Sequence, residues 1–191
     1  MKRVILIGDS IRMGYEATVR QQLAGVATVI TPGDNGATSD NVVAHLDEWA
    51  ISRAADVIHV NCGLHDIKAE LDQDARRVPL ARYTENVRYM LTRLKAETDA
   101  TILWASSTPV NEESHNALKP FGRFEADVVA YNAAAAEIAT DLGIAIDDLF
   151  GVITEAGGDE LLMDDGVHFE QAGSVLLGEH VAGCIRGVLG E

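Results

Sequence analysis

In the stretch LIGDSIRMGY, residues 6–15, an apolar run ends at Gly8. Asp9 and Ser10 follow, and a segment with helical spacing begins after them. Such a run, ending in a glycine and leading into a helix, is typical of the first β-α unit of a parallel sheet. The serine at this junction has two explanations. Its oxygen can cap the helix by accepting from an orphan amide, or it can act as a nucleophile.

Short apolar, β-branched runs alternate with segments of helical spacing along the whole chain. The predicted strands are residues 3–8, 26–30, 56–61, 101–106 and 143–148, and the predicted helices are 12–24, 40–53, 80–97, 123–141 and 170–189. Strict alternation implies right-handed crossovers between parallel strands that helices cover on both faces. The sequence therefore predicts one α/β domain over residues 1–191, a three-layer α/β/α sandwich around a five-stranded parallel sheet.

The composition is that of a soluble globular protein with a strongly acidic surface. Thirty acidic residues against 15 basic ones give a net charge of −15, which disfavours nucleic acid and anionic membrane as partners. The apolar start is too short for a signal peptide or a membrane span, so we expect a cytoplasmic protein. Cys62 and Cys184 lie far apart and outside any CxxC pattern, and we interpret them as reduced structural thiols.

The loops that follow the predicted strands hold most of the reactive side chains. Ligands of open parallel sheets bind beyond the carboxyl ends of the strands, where these loops converge. The loops read GDS (8–10), PGDNGATSDN (32–41), CGLHD (62–66), SSTPVN (106–111) and MDDGVHF (163–169).

Together these loops supply a set suited to acyl transfer. A serine hydroxyl such as that of Ser10 needs a base, and a histidine such as His168 serves near neutral pH. Asp165 is three residues before His168, so a tight turn brings the two together to fix the imidazole tautomer. The backbone amides of Ser10 and Gly36 could then stabilise an oxyanion.

These loops resemble the four sequence blocks of the SGNH/GDSL hydrolases, which are serine esterases and acylhydrolases on a flavodoxin-like sheet. The matching stretches are GDS (8–10), NGATS (35–39), GLHD (63–66) and DGVH (165–168). The resemblance implies that Ser10 is the nucleophile and one oxyanion donor and that Gly36 is a second donor. It also implies that His168 is the base and Asp165 its partner.

The third block departs from the family pattern at His65, where the family has an asparagine whose side-chain amide donates to the oxyanion. His65 could replace that donor through a ring N–H, contact the substrate, or merely fill the space. Asn61, at the end of its strand, is a conceivable substitute donor.

Two long loops, 62–79 and 107–122, are expected near the site, and the chain has no room for a large lid domain. We therefore expect a small ester as the partner, with Arg12, Asn35, Asn111 and His115 as candidate substrate contacts. Family members commonly remove acetyl groups from carbohydrates, which favours a carbohydrate O-acetylesterase. Thioesterase and lysophospholipase-like activities stay open. No cofactor and no metal ligand is expected, and the sequence does not indicate the oligomeric state.

Three other functions compete with the esterase. A metal-dependent phosphoesterase could use His59, His168 and aspartates, but Asp9-Ser10-Ile11 lacks the Asp-x-His usual after the first strand. A dinucleotide-binding domain would need a second glycine in the first loop. A non-catalytic binding module or an acyltransferase could keep the pocket while His65 removes part of the oxyanion hole.

Overall fold

The central sheet is built from five parallel strands. A computed structural model describes residues 1–70 and 75–191, so four residues of the predicted 62–79 loop lie outside the described part. The strands are β1 (Lys2–Ile7), β2 (Ala27–Ile30), β3 (Val57–Val60), β5 (Thr101–Ala105) and β7 (Ala145–Asp147), in the order β2-β1-β3-β5-β7. Two-residue strands β4 (Ala69–Glu70) and β6 (Phe121–Gly122) pair antiparallel beside this sheet.

Helices connect the strands and cover the sheet. They are α1 (Ser10–Gln22), α2 (Ser39–Leu46), α3 (Leu80–Glu97), α4 (Glu112–Leu118), α5 (Glu125–Asp141), α6 (Leu149–Glu155) and α7 (Gln171–Leu189). A π-helical turn, Asp47–Ile51, extends α2, and a 3-10 turn, Gly158–Leu161, follows α6. None of the helices in the described ranges is long and apolar enough to cross a bilayer.

The core lies between the sheet and two groups of helices. Helix α1 packs against α7, while α3 packs against both α2 and α5. Val4, Ile5, Leu6 and Ile7 of β1 are all fully buried, because the neighbouring strands and both helix layers surround this strand. This arrangement confirms the predicted three-layer α/β sandwich and its five strands in order.

The differences from the prediction are short elements. The segment expected as the 107–122 loop contains α4 and β6, and the segment between β7 and α7 contains α6. Elements of two to seven residues present too few turns for a periodic pattern to be recognised. All five of the predicted helices are present.

Candidate active site

Ser10 is the first residue of α1 and follows the end of β1 by three positions. The helix cap is Asp9, whose Oδ1 accepts a hydrogen bond from the Ile11 amide at 2.9 Å. The Ser10 hydroxyl is therefore not needed as a cap. Its Oγ lies 2.8 Å from Nε2 of His168, a residue 158 positions further along the chain.

The other ring nitrogen of His168 faces a carboxylate. His168 Nδ1 lies 2.6 Å from Asp165 Oδ2, while Asp165 Oδ1 accepts from the backbone amides of Val167 at 3.1 Å and His168 at 2.9 Å. Partial burial raises the pKa of Asp165, but the hydrogen bonds from His168 and Val167 outweigh it and lower that pKa to about 2. An ionised Asp165 holds the proton on Nδ1, so Nε2 is left to accept the proton of Ser10.

The Asp165 loop is tied to the start of α4. Asn111 N–H donates to the Gly166 carbonyl at 2.8 Å. Gly166 has φ of +68°, and a Cβ there would lie 2.4 Å from the Asn111 carbonyl oxygen. Only glycine combines that backbone conformation with so close an approach. The glycine of the last block is thus required for the loop that carries Asp165 and His168.

A buried histidine supports the same loop from behind. His115 is 1% exposed, and its Nδ1 donates to the Asp165 carbonyl at 3.0 Å. Its Nε2 then accepts from Nη1 of Arg123 at 3.2 Å, and Arg123 Nε donates to the Leu64 carbonyl at 2.7 Å. Burial lowers the pKa of His115, which agrees with a neutral ring that donates at one nitrogen and accepts at the other. The chain of bonds joins the His65 loop to the Asp165 loop.

Gly36 packs directly on the loop that contains Ser10. Its N–H donates to the Gly8 carbonyl at 2.9 Å, and a Cβ at Gly36 would lie 2.7 Å from that oxygen. An amide has a single hydrogen, so in this arrangement the Gly36 N–H points at Gly8 rather than lying free for a substrate oxygen. The amide of Ser10, at the first position of α1, is among those that find no partner within a helix.

His65 is half-buried in the loop after β3. Burial and the nearby charges of Lys68, Arg123 and Arg77 lower its pKa to about 3, so the ring is neutral at physiological pH. The alternative donor Asn61 is already committed, because its Nδ2 donates to the Ala105 carbonyl at 2.8 Å.

The loops of the second and third blocks are joined by a buried carboxyl group. Asp66 is fully buried and accepts from both the amide of Ser39, at 2.9 Å, and its hydroxyl. Asn86 of α3 donates to the same hydroxyl at 2.9 Å. Burial raises the pKa of Asp66 to about 7. This network fixes the start of α2 against the His65 loop.

Two of the candidate substrate contacts are used within the protein. The side chain of Arg12 is 3% exposed, forms an ion pair with Glu16 and donates to the Asp34 carbonyl at 3.2 Å. His115 is buried behind Asp165, as described above. Both side chains are shielded from solvent.

The other two candidates, both asparagines, make local turns. Asn35 Oδ1 accepts from the Ala37 amide at 2.8 Å, and Asn111 Oδ1 caps α4 by accepting from the Ser114 amide at 2.9 Å. Asn111 borders an open depression of about 730 Å³ whose lining contains none of Ser10, Asp165 and His168.

The sequence matches the model of the GDSL-like lipase/acylhydrolase family over residues 6–176. The chain belongs to this family. Membership in the GDSL family makes the protein a carboxylic ester hydrolase with small-molecule esters as substrates, and it confirms the resemblance seen in the four blocks. No curated protein matches the sequence significantly.

Solved structures of an acylhydrolase and of acetylxylan esterases share the fold. A lipase/acylhydrolase from Enterococcus faecalis superposes with a TM-score of 0.82 at 24% identity, covering 98% of this chain and 96% of that one. An acetylxylan esterase from Geobacillus stearothermophilus gives a TM-score of 0.76 at 19% identity, covering 98% and 94%. The acetyl xylan esterase AlAXEase gives a TM-score of 0.77 at 16% identity, covering 96% and 99%.

Sequence reasoning missed the residues that hold the GDSL blocks in place. His115 was expected to face substrate, and the roles of Arg123, Asp66 and Ser39 were not anticipated. The role of Asp66 could have been inferred from the sequence. A carboxyl group that follows a buried strand is itself close to the core, and a buried carboxyl group needs a hydrogen-bond donor. Nothing local in the sequence indicates that Arg123 reaches Leu64 or that His115 reaches Asp165.

Proposed function

We propose that this GDSL-family protein is a serine esterase that removes acetyl groups from small esters, with O-acetylated carbohydrates as its substrate class. The observation that carries the proposal is the continuous hydrogen-bonded series from Ser10 Oγ to His168 Nε2, at 2.8 Å, and from His168 Nδ1 to Asp165 Oδ2, at 2.6 Å. Acyl transfer needs these three groups in this order.

In the proposed mechanism Ser10 Oγ attacks the ester carbonyl while His168 Nε2 takes the hydroxyl proton. The imidazolium that forms is stabilised by the carboxylate of Asp165, and it then protonates the departing alcohol. In the second half, water attacks the acyl-serine with His168 again as base. Acetate leaves, and Ser10 recovers its proton.

The proposed oxyanion donors are the amide of Ser10 and the ring N–H of His65. A neutral His65 has one N–H to donate, which suits a hole that binds a negative oxygen. Gly36 acts as a third donor only if its N–H is shared between the Gly8 carbonyl and the substrate oxygen.

Two features support a small acyl group and a hydrophilic alcohol. The side chain of His168 is 42% exposed, so the site is open rather than enclosed by an apolar wall that would hold a long chain. Two of the proteins that share the fold are acetylxylan esterases.

A panel of p-nitrophenyl esters of increasing chain length, measured beside acetylated xylo-oligosaccharides, tests this substrate class. We expect kcat/KM to be highest for the acetyl ester and to fall with every added pair of methylenes, and we expect acetate release from the acetylated sugars. A kcat/KM that rises towards octanoyl would instead indicate a lipase-like acyl pocket. An enzyme that acts on p-nitrophenyl acetate but releases no acetate from sugars would contradict the carbohydrate part alone.

The role of His65 is tested by a pair of substitutions. We expect His65→Ala to lower kcat on p-nitrophenyl acetate by on the order of 10²–10³, the effect of losing one oxyanion donor, with KM little changed. His65→Asn restores a side-chain N–H and should retain more activity than His65→Ala. A loss of less than threefold in His65→Ala would show that this ring does not donate to the oxyanion.

A further inference from the structure

A second cluster of reactive side chains lies between the sheet and α7. Asp147 ends β7 and is fully buried, and its Oδ1 lies 2.8 Å from His180 Nε2 and 3.4 Å from Cys184 Sγ. The histidine nitrogen and the sulfur are 3.6 Å apart. The other carboxylate oxygen, Oδ2, lies 2.8 Å from Nε2 of His59 on β3.

The fold explains how these residues meet. His180 and Cys184 are four residues apart on α7, so their side chains lie on one face of the helix. His59 and Asp147 come from the strands on either side of β5, where they are in register with Leu103 and Ala105. His180 and Cys184 are half-buried, so the cluster is reached from solvent along α7.

We propose that Asp147, His180 and Cys184 form a binding site for one divalent transition-metal ion of the Zn²⁺ type. A carboxylate, an imidazole and a thiolate are a borderline-soft set, which selects Zn²⁺ or Co²⁺ over Mg²⁺ or Ca²⁺. The ligand charges also balance, since one carboxylate and one thiolate neutralise a dication inside the fold.

The spacing of the three donor atoms fits a tetrahedral site. Zinc bonds of about 2.0 Å to oxygen, 2.1 Å to nitrogen and 2.3 Å to sulfur imply edges of roughly 3.3 Å between oxygen and nitrogen and roughly 3.5–3.6 Å from sulfur to either. The two edges that involve Cys184 measure 3.4 and 3.6 Å. The edge from Asp147 to His180 measures 2.8 Å and has to widen by roughly 0.5 Å, which a side chain on the half-buried face of α7 can do.

Metal binding changes the bonds in a defined way. The Cys184 thiol loses its proton to solvent, and the neutral His180 ring carries its proton on Nδ1 so that Nε2 is free to bind. The hydrogen bonds from His180 and Cys184 to Asp147 Oδ1 are then replaced by bonds to the metal. His59 keeps its hydrogen bond to Oδ2 and thereby orients the ligating carboxylate, as residues behind a metal ligand commonly do. The fourth position faces the solvent side of α7 and takes a water molecule.

The site would join the end of β7 to the middle of α7 without entering the ester chemistry. Within the described part of the chain, the three proposed ligands and His59 form hydrogen bonds with one another. None of these four side chains forms a hydrogen bond to Ser10, Asp165 or His168. Because the metal binds the folded chain, it raises the thermal midpoint as its concentration exceeds the dissociation constant.

Titration of the purified full chain with Co²⁺ tests the proposal directly, because a thiolate ligand gives a near-ultraviolet charge-transfer band. Equilibrium dialysis with Zn²⁺ gives the stoichiometry. We expect one equivalent of metal, the band in wild type, and a higher thermal midpoint with Zn²⁺. Cys184→Ser should abolish the band, and His180→Gln should weaken Zn²⁺ binding by about tenfold or more.

Cys62→Ala is the matched control, since Cys62 is the only other thiol, and it should keep both the band and the affinity. Turnover of p-nitrophenyl acetate by all variants reports that they are folded. Absence of stoichiometric Zn²⁺ binding by wild type at micromolar metal would overturn the proposal, leaving Asp147 hydrogen-bonded to His180 in place of a metal. Equal binding by Cys184→Ser would overturn it as well.

Discussion

Ser10→Ala is expected to reduce kcat on p-nitrophenyl acetate by roughly 10⁵–10⁶, because no acyl-enzyme can form without Oγ. The residual rate comes from binding and from the oxyanion donors, and KM should change little. The fold should be unaffected, since Asp9 rather than Ser10 caps α1 and the thermal midpoint should equal that of wild type. Steady-state kinetics and a melting curve on the same preparation measure both quantities.

A fluorophosphonate probe separates loss of the nucleophile from any other loss of activity. The probe labels only a serine whose hydroxyl is activated, so we expect wild type to be labelled once, at Ser10, and Ser10→Ala not at all. Ser174→Ala, a half-buried serine at the start of α7, is the control and should be labelled and active. An active Ser10→Ala variant would show that another residue attacks the ester.

The parts of the fold that could be predicted are those in which the local pattern and the tertiary environment agree. Residues 4–7 are apolar on both faces because this part of β1 is surrounded, and the helical spacing of Val87, Met90, Leu91 and Leu94 matches the buried face of α3. The parallel direction of the strands followed from alternation, because each right-handed crossover brings the next loop to the same edge of the sheet. That rule places the loops of Ser10 and His168 at one edge of the sheet.

The parts that could not be predicted depend on contacts between distant residues. Arg12 follows Ser10 by two residues in the sequence, yet it is buried, with an ion pair to Glu16 and a hydrogen bond to the Asp34 carbonyl. His115 looks like a loop histidine until α4 forms and places it behind Asp165, 50 residues away. The sequence also gives no hint that the amide of Gly36 donates to Gly8, because that bond depends on how closely two glycine loops approach.

Asp165→Asn is expected to lower kcat by roughly 10⁴ although it alters a single atom. An asparagine can face His168 Nδ1 with its oxygen or with its NH₂ group. The backbone settles the choice: the amides of Val167 and His168 both donate to Oδ1 of residue 165, so that position has to remain an oxygen. The NH₂ group is thereby directed at His168 Nδ1.

A donor facing Nδ1 moves the histidine proton to Nε2, where it points at Ser10 Oγ and prevents His168 from accepting the serine proton. The loop keeps both backbone hydrogen bonds and its Gly166 turn, so folding and KM should stay near wild type while kcat falls. Asp164→Asn, the same change at the exposed neighbouring position, is the matched control and should be fully active. If Asp165→Asn kept activity within tenfold of wild type, the tautomer of His168 would have to be set by a group other than Asp165.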